Sequence, residues 1–252
     1  MGRLKLLALG VAAAIGLAAS AAAAPAVSAA IRAALSDPAR PAADRDRDAA
    51  RHPGELMAFA GLKPGMKVAD YMPGAGYFTR IFSAAVGPKG HVYATFPDFM
   101  AKFETKEVSA IQGLAADQHY RNVSLSTIPG GTFKTPEKLD LVWTSQNYHD
   151  LQFGLSHEQI VALDKAILAD LKPGGTFLVI DHVAAPGTGW TVARTLHRIE
   201  PKQILADMKE AGFVLAGQSD ILRNPADPHD KLVFDPSIRG KTDQVAYRFK
   251  RP

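Results

Sequence analysis

Residues 68–79 have the sequence VADYMPGAGYFT, in which three kinds of local structure follow one another. Met66 to Tyr71 is a short, mostly apolar segment that predicts a buried strand, and Gly74 and Gly76 interrupt the chain directly after it. From Tyr77 onward, apolar residues recur at helical spacing, which predicts a helix. A glycine turn between a buried strand and a helix N-terminus lets a ligand approach backbone N–H groups. The stretch therefore predicts a site for a nucleotide-like cofactor.

Strand and helix patterns alternate on the C-terminal side of this turn. Repeated alternation with apolar strands predicts an α/β protein, with a doubly wound Rossmann-like arrangement in which helices cover both faces of a parallel sheet. Ligands on such sheets bind at the carboxyl ends of the strands, near the point where the strand order reverses. The predicted strands lie at residues 67–71, 91–96, 123–128, 139–144, 176–181, 213–216 (the start of the sixth) and 244–250.

Composition limits the class of protein. The chain has 252 residues, 47% of them hydrophobic, which suits one sizeable globular domain. Its formal net charge is +4, and removal of Arg3 and Lys5 with a leader leaves +2. Because this charge is small and no basic cluster with interleaved aromatic residues is present, the sequence predicts no nucleic-acid partner. Without cysteine, the chain can form neither a disulfide nor a thiolate metal site.

The first 24 residues have the pattern of a secretory signal. Arg3 and Lys5 precede an apolar segment from Leu6 to Leu17, and small residues follow from Ala18 to Ala24. The pattern predicts a cleaved leader and a periplasmic or secreted protein; the alternative is an uncleaved anchor in the inner membrane. After cleavage no integral membrane segment is expected. Residues 25–54 then form an N-terminal surface segment, whose alternating charges at 44–48 predict a solvated face, and residues 55–252 form the main domain.

Two kinds of cofactor suit the glycine turn. Nicotinamide-binding domains have G-x-G-x-x-G, in which the third glycine allows the helix to pack closely on the strand. In this chain Phe78 and Thr79 stand where that glycine is needed, which disfavours a dinucleotide and hence an oxidoreductase.

The chain resembles the class I S-adenosylmethionine-dependent methyltransferases. Asp70-x-Met72-x-Gly74-x-Gly76 is similar to their D/E-x-G-x-G-x-G motif, LDLVWTSQNYHD at 139–150 to their fourth-strand motif, and LADLKPGGTFLVI at 168–180 to their L-K-P-G-G segment. More narrowly, PGAGYFT and the tail NPADPH…FDPSIRGKTDQ resemble an exported bacterial group of predicted methyltransferases. The resemblance implies a mostly parallel seven-stranded sheet with an antiparallel last strand, and a methyltransferase-like domain over residues 55–252.

The resemblance also implies S-adenosylmethionine as cofactor. Asp70, Gly74 and Gly76 would hold its methionine end, while Phe96 and Asp98 would border its adenosine. The chain departs from the family pattern at two positions. Met72 replaces the first glycine of the motif, and Phe96 replaces the acidic residue that binds the ribose hydroxyls in the family. The full set of expected cofactor-binding residues is Asp70, Pro73, Gly74, Gly76, Phe96, Asp98 and Thr144.

The residues after the fourth strand are placed to face the transferred methyl group. His149 is the first candidate base, with Tyr148 and Asn147 positioning the acceptor; the alternative for His149 is a loop histidine that caps local backbone. His182 is the second candidate base. Asp227, His229 and Asp230 lack a fourth ligand at characteristic spacing, so the sequence predicts no metal.

Taken together, the sequence predicts an exported methyltransferase that acts on a small molecule or a cell-envelope component. A rival interpretation is an exported, non-catalytic binding protein that keeps the same fold. The residues leave the acceptor and the oligomeric state open.

Overall fold

Seven strands form one sheet in the computed structural model, which describes residues 25–252; the predicted leader at 1–24 lies outside the described residues. The strand order is β3-β2-β1-β4-β5-β7-β6, and β7 runs antiparallel to both of its neighbours while the other pairs are parallel. The predicted fold class is therefore confirmed. The strands are β1 Lys67–Tyr71, β2 His91–Pro97, β3 Val123–Ile128, β4 Leu139–Ser145, β5 Leu171–His182, β6 Val214–Ser219 and β7 Gln244–Lys250.

Helices cover both faces of the sheet. Two single-turn 3₁₀ helices lie at Gln118–Tyr120 and His149–Phe153. The α-helices are α1 Ala29–Leu35, α2 Ala42–Arg45, α3 Asp48–Arg51, α4 Pro53–Ala60, α5 Tyr77–Val86, α6 Asp98–Ala101, α7 Thr105–Ala116, α8 His157–Asp170, α9 Ala193–Leu196 and α10 Pro201–Ala211. None of the helices in this described part is long and apolar enough to cross a membrane.

The apolar core has two halves, one on each face of the sheet. One half packs α8 and α10 against β4 and β5, and the other packs α1, α4, α5 and α7 against the opposite face. Trp143 of β4 belongs to the second half, where its ring lies 4.7 Å from that of Phe78 and 5.2 Å from that of Phe82. The helix that follows the glycine turn is therefore held firmly on the sheet.

The N-terminal segment differs from its prediction as a solvated surface. Asp44 is buried and forms ion pairs with Arg47 and Arg80, and Asp48 accepts hydrogen bonds from Arg40 and from the hydroxyl of Tyr77. The expected exposed face is wrong for these residues because α1 packs on α5 and brings the charged run against it. The segment thus becomes one wall of the region around the glycine turn.

Residues 220–243 connect the last two strands without a helix or strand. Buried Arg198 forms a two-point ion pair with Asp227, and Arg223 forms one with Asp243. His229 also pairs with Asp243, at 3.0 Å. Asp227 and Asp243 of this connection therefore have protein partners, which fix the segment across the carboxyl end of the sheet.

Candidate active site

The glycine turn is built from three residues with left-handed backbone. Met72, Gly74 and Gly76 have φ values of 57°, 55° and 86°. Met72 therefore adopts a left-handed conformation that glycine adopts without steric cost, although the first glycine of the motif is absent here. At Gly76 an added Cβ would lie 2.9 Å from Ile111 Cδ1, whereas at Gly74 the space is open. Gly76 is required for close packing, and Gly74 leaves room for a ligand.

Asp70 joins the end of β1 to the start of α5. Its carboxylate is buried and accepts a hydrogen bond of 2.6 Å from the hydroxyl of Thr79. Burial raises the pKa of Asp70 to about 7, although the hydrogen bond from Thr79 and the charge of Arg51 oppose this rise. The carboxylate therefore stabilises the turn at one side of the predicted cofactor site.

A cavity of about 260 Å³ lies over the glycine turn. The N-terminal segment contributes Arg47 and Arg51 to its wall, and Arg51 donates a 2.8 Å hydrogen bond to the side chain of Gln146. The guanidinium of Arg51 also lies 4.5 Å from the ring centre of Tyr77. A carboxylate ligand at the turn would therefore meet backbone N–H groups and a held cation.

Glu104 is a site residue that the sequence analysis missed. It lines this cavity and a second one, and its Oε2 is buried without a hydrogen-bond partner among the described residues. Burial and repulsion from Glu107 and Asp150 raise the pKa of Glu104 to about 7. The sequence holds one signal for Glu104, which is its position seven residues after the end of β2, near the carboxyl edge of the sheet. An unpartnered buried carboxyl marks a position where a polar ligand group is needed.

The two residues expected to border the adenosine lie away from both cavities. Phe96 is fully buried in the core, and the carboxylate of Asp98 accepts a hydrogen bond from the backbone N–H of Gly130. Thr144 is also buried, with its hydroxyl bonded to the side chain of Asn147. The structure therefore assembles Asp70, Pro73 and Gly74 at the cavity, but it does not bring Phe96, Asp98 or Thr144 there.

Asn147 and Tyr148 have different surroundings. Asn147 lines the cavity over the glycine turn and donates to the backbone carbonyl of Met72, which ties the end of β4 to the turn. Tyr148 is buried, and its hydroxyl donates to Asp164 of α8 at 2.7 Å. Asn147 is therefore placed to position a bound molecule, whereas the hydroxyl of Tyr148 is engaged inside the core.

A larger cavity of about 640 Å³ adjoins the first, since Glu104, Gln146 and Asp150 line both. Its walls are mostly apolar, and the exposed rings of Phe103 and Phe234 stand beside it. His149, His182 and His197 also line it. The cavity therefore suits a molecule with an apolar body and a polar group directed at the histidines.

His149 is held by a buried carboxylate. Its Nδ1 lies 2.7 Å from Asp181 Oδ1, and its backbone N–H donates to the other oxygen of Asp181. Its Nε2 lies 3.0 Å from Asp150 Oδ1 and 3.2 Å from His197 Nδ1. Burial alone would lower the pKa of His149, but Asp181 and Asp150 outweigh it and raise the pKa to about 10. At neutral pH this arrangement keeps a positive charge at the cavity wall.

His182 has the opposite character. Its ring centre lies 6.0 Å from that of His149, and its Nδ1 lies 2.8 Å from the hydroxyl of Thr242. Burial and the charge of nearby His149 lower the pKa of His182 well below its ordinary value. His182 therefore stays neutral at neutral pH, and protonation of its ring is disfavoured.

Backbone strain is concentrated at these cavities. Among the described residues, five non-glycine residues have positive φ, and three of them, Met72, Gln146 and His197, line one or both cavities. Such conformations cost about 1–3 kcal/mol each and cluster at functional sites. The strain supports a functional role for the two cavities.

Comparison with known proteins adds an independent line of evidence. No family model matches the chain. Over 129 residues it is 31% identical to the ubiquinone/menaquinone biosynthesis C-methyltransferase UbiE of Shewanella sediminis, a match that covers 48% of this chain and 45% of that protein. The chain thus spans less than half the length of this curated relative.

Solved structures with the same fold include several methyltransferases and the [4+2]-cyclase SpnF. A SAM-dependent methyltransferase from Aquifex aeolicus has a TM-score of 0.54 at 18% identity, covering 79% of this chain and 89% of that one. The glycopeptide N-methyltransferase MtfA in complex with S-adenosylhomocysteine has a TM-score of 0.53 at 16% identity, covering 79% and 87%. The chain has the class I S-adenosylmethionine-dependent methyltransferase fold, and the curated relative supports the same class. The narrower exported group stays a prediction.

Proposed function

We propose that the protein is an S-adenosylmethionine-dependent methyltransferase whose acceptor has an apolar body. One observation carries the proposal: the cavity over the glycine turn adjoins a larger apolar cavity, and Glu104, Gln146 and Asp150 form their common wall. A donor in the first cavity and an acceptor in the second would lie side by side. The curated relative is named for C-methylation in quinone biosynthesis, which agrees with a small apolar acceptor.

The residues around the glycine turn fit the cofactor in charge and shape. Open space at Gly74 admits the methionine end, and the cation of Arg51 suits its carboxylate. The unpartnered carboxyl of Glu104 would accept hydrogen bonds from the ribose hydroxyls or the ammonium group, and so it takes the place of the acid that Phe96 replaces. When bound, the cofactor supplies an electrophilic methyl group on a sulfonium.

The protein's own contribution is alignment, exclusion of water and proton handling. Asn147 ties the turn to the end of β4 and thereby fixes the distance between the two cavities. His149 was predicted as a base, but with a pKa of about 10 it holds its proton at neutral pH and donates a hydrogen bond. Neutral His182 lines the same cavity and can form a hydrogen bond with the acceptor, but its lowered pKa makes it a weak base and disfavours the predicted role as second candidate base.

Titration of the purified protein by calorimetry tests the cofactor. We expect S-adenosylmethionine and S-adenosylhomocysteine to bind and NAD to give no heat. Glu104→Gln should weaken S-adenosylhomocysteine binding by about 10- to 150-fold, in line with about 1.5–3 kcal/mol for hydrogen bonds to a charged group. The matched control Glu210→Gln removes an exposed carboxylate of α10 and should leave the affinity unchanged. Binding of NAD alone would overturn the proposal.

A second candidate is an exported binding protein that keeps the fold without catalysis. The observation that favours it is the buried Phe96 in place of a ribose-binding acid. The predicted leader favours it too, because an exported chain would be separated from cofactor made in the cytosol. In that case calorimetry would detect no heat of binding for S-adenosylmethionine, S-adenosylhomocysteine or NAD. This outcome distinguishes the binding protein from the enzyme.

A further inference from the structure

His149, Asp150 and His197 place three donor atoms around one point in the wall of the larger cavity. His149 Nε2, Asp150 Oδ1 and His197 Nδ1 are separated by 3.0, 3.1 and 3.2 Å. The two histidines are 48 positions apart on the chain, so this triangle is a product of the fold. His149 and Asp150 belong to the 3₁₀ helix after β4, and His197 is the residue directly after α9.

We propose that this triangle binds a divalent first-row transition metal ion such as Zn²⁺ or Co²⁺. Two imidazole nitrogens and one carboxylate oxygen suit these ions, whereas Mg²⁺ and Ca²⁺ prefer oxygen ligands alone. At metal–ligand distances of about 2.1 Å, donors with these separations subtend about 95° at the ion. Three ligands near right angles form one face of an octahedron and leave the opposite face open.

A second layer of contacts orients His149 for this role. Asp181 is wholly buried, and as a carboxylate it only accepts, so the Nδ1 that lies 2.7 Å away must carry the proton. In a neutral ring this leaves the lone pair of Nε2 directed at the triangle. A carboxylate behind a ligating histidine is the usual outer contact at metal sites.

His197 has a left-handed backbone, which is uncommon for residues other than glycine. It has φ of 53°, and its ring lies between those of Phe153 and Phe234, at 5.4 and 5.0 Å. Strain of this kind persists where surrounding structure enforces it. The imidazole and Asp150 are both partly exposed to the cavity, so an ion and a substrate atom can reach the open face.

This metal site extends the proposed function. Only the identity of the molecule that the metal would bind depends on that proposal. A cation here would bind a hydroxyl or carbonyl oxygen of the acceptor, with the apolar body against Phe103 and Phe153. The sequence predicted no metal from a different group, Asp227, His229 and Asp230, and no local spacing connects the three residues of this triangle. The competing occupant is a proton on His149, shared with Asp150 and His197.

Calorimetry with Zn²⁺, Co²⁺ and Mg²⁺ on the untagged chain, after treatment with a chelator, tests the site. We expect one Zn²⁺ or Co²⁺ per chain and no heat from Mg²⁺. His197→Ala and Asp150→Asn should each weaken Zn²⁺ binding at least 100-fold, and Asp181→Asn about 10- to 100-fold. The control His119→Ala removes an exposed histidine that pairs with Asp37, and it should bind Zn²⁺ like the parent chain.

Two further measurements keep the result unambiguous. Circular dichroism confirms that each variant is folded, and S-adenosylhomocysteine affinity is measured in parallel, since His197 lies outside the cofactor cavity. Zn²⁺ binding without S-adenosylhomocysteine binding would support the metal site and count against the methyltransferase; the reverse would remove the metal site alone. Absent Zn²⁺ binding, or binding equally strong in His197→Ala and Asp150→Asn, means that the triangle holds only a proton.

Discussion

Two buried carboxylates at the carboxyl edge of the sheet, Asp70 at the end of β1 and Asp181 near the end of β5, have opposite surroundings. Asp70 accepts from the hydroxyl of Thr79, and burial raises its pKa to about 7. Asp181 lies against an imidazole and helps to raise the pKa of His149 to about 10. The same residue type thus favours a neutral form in one region and supports a charged partner in the other.

This difference separates the two halves of the site. The region of Asp70 is a turn of consecutive residues, shaped by backbone conformation to receive a cofactor. The region of Asp181 is an assembly of side chains from distant segments, where charge is concentrated at the cavity wall. We therefore expect substitutions in the second region to act through electrostatics and those in the first to act through backbone geometry.

Asp181→Asn should have the largest effect on stability. It removes one partner of a buried pair and leaves Asp150 alone to compensate the charge of His149, and breaking a buried pair in this way costs up to about 3–5 kcal/mol of unfolding free energy. The pKa of His149 should fall as well, since Asp181 is a main cause of its rise. Chemical denaturation and NMR titration measure the two quantities. The control Asp220→Asn, at an exposed carboxylate, should change stability by less than about 0.5 kcal/mol; equal losses in both variants would contradict the electrostatic interpretation.

Gly76→Val should have the second-largest effect on stability. Left-handed backbone strain and overpacking should lower the unfolding free energy by about 3 kcal/mol. The added side chain would press on Ile111 and Leu114, displace the turn and abolish S-adenosylhomocysteine binding by calorimetry. Gly65→Val is the matched control, because Gly65 has φ of 83° but open space around its Cβ. It should show the strain alone and retain binding, and unchanged affinity in Gly76→Val would refute the placement of the cofactor.

Asp70→Asn should have the smallest effect, visible as a change in pH dependence. Between about pH 4 and 7 the folded chain keeps a proton on Asp70 that the unfolded chain releases, so unfolding free energy falls as pH rises, by up to about 1.4 kcal/mol per unit. The Asn variant lacks this contribution, and its loss of stability from pH 5 to 7 should be smaller. Denaturation at both pH values checks this, and parallel slopes in variant and parent would disprove the assignment.

The secondary structure was predictable because its signals are local. Apolar periodicity and the glycine turn located β1, α5 and the later strands closely, and Ser156 and Gln159 form the capping box that begins α8. Resemblance to a known class then provided the count of seven strands and the antiparallel last strand, whereas the strand order comes from the structure. The fifth strand was predicted to begin at residue 176. In the structure β5 begins five residues earlier, because Leu171 already pairs with Leu139.

The candidate site was predictable only where its residues are consecutive. Asp70, Pro73 and Gly74 line the cavity over the glycine turn, since one turn of backbone places them together, whereas Gly76 is not part of its lining. Phe96 and Asp98 were assigned from their position after β2, but the packing of the core and a hydrogen bond to Gly130 remove them from the cavity. Local position does not reveal which partner a side chain finds.

Residue order alone established an α/β chain with a cofactor turn at the end of its first strand, since these features depend on neighbours within a few positions. Tertiary structure alone brought Glu104 to the boundary of the two cavities and His197 to His149 and Asp150. It also buried Asp44 of the charged N-terminal run against Arg80 and placed Arg47 in the wall beside the glycine turn. Contacts between distant segments, burial and the resulting pKa shifts exist only after folding, and the proposed chemistry depends on them.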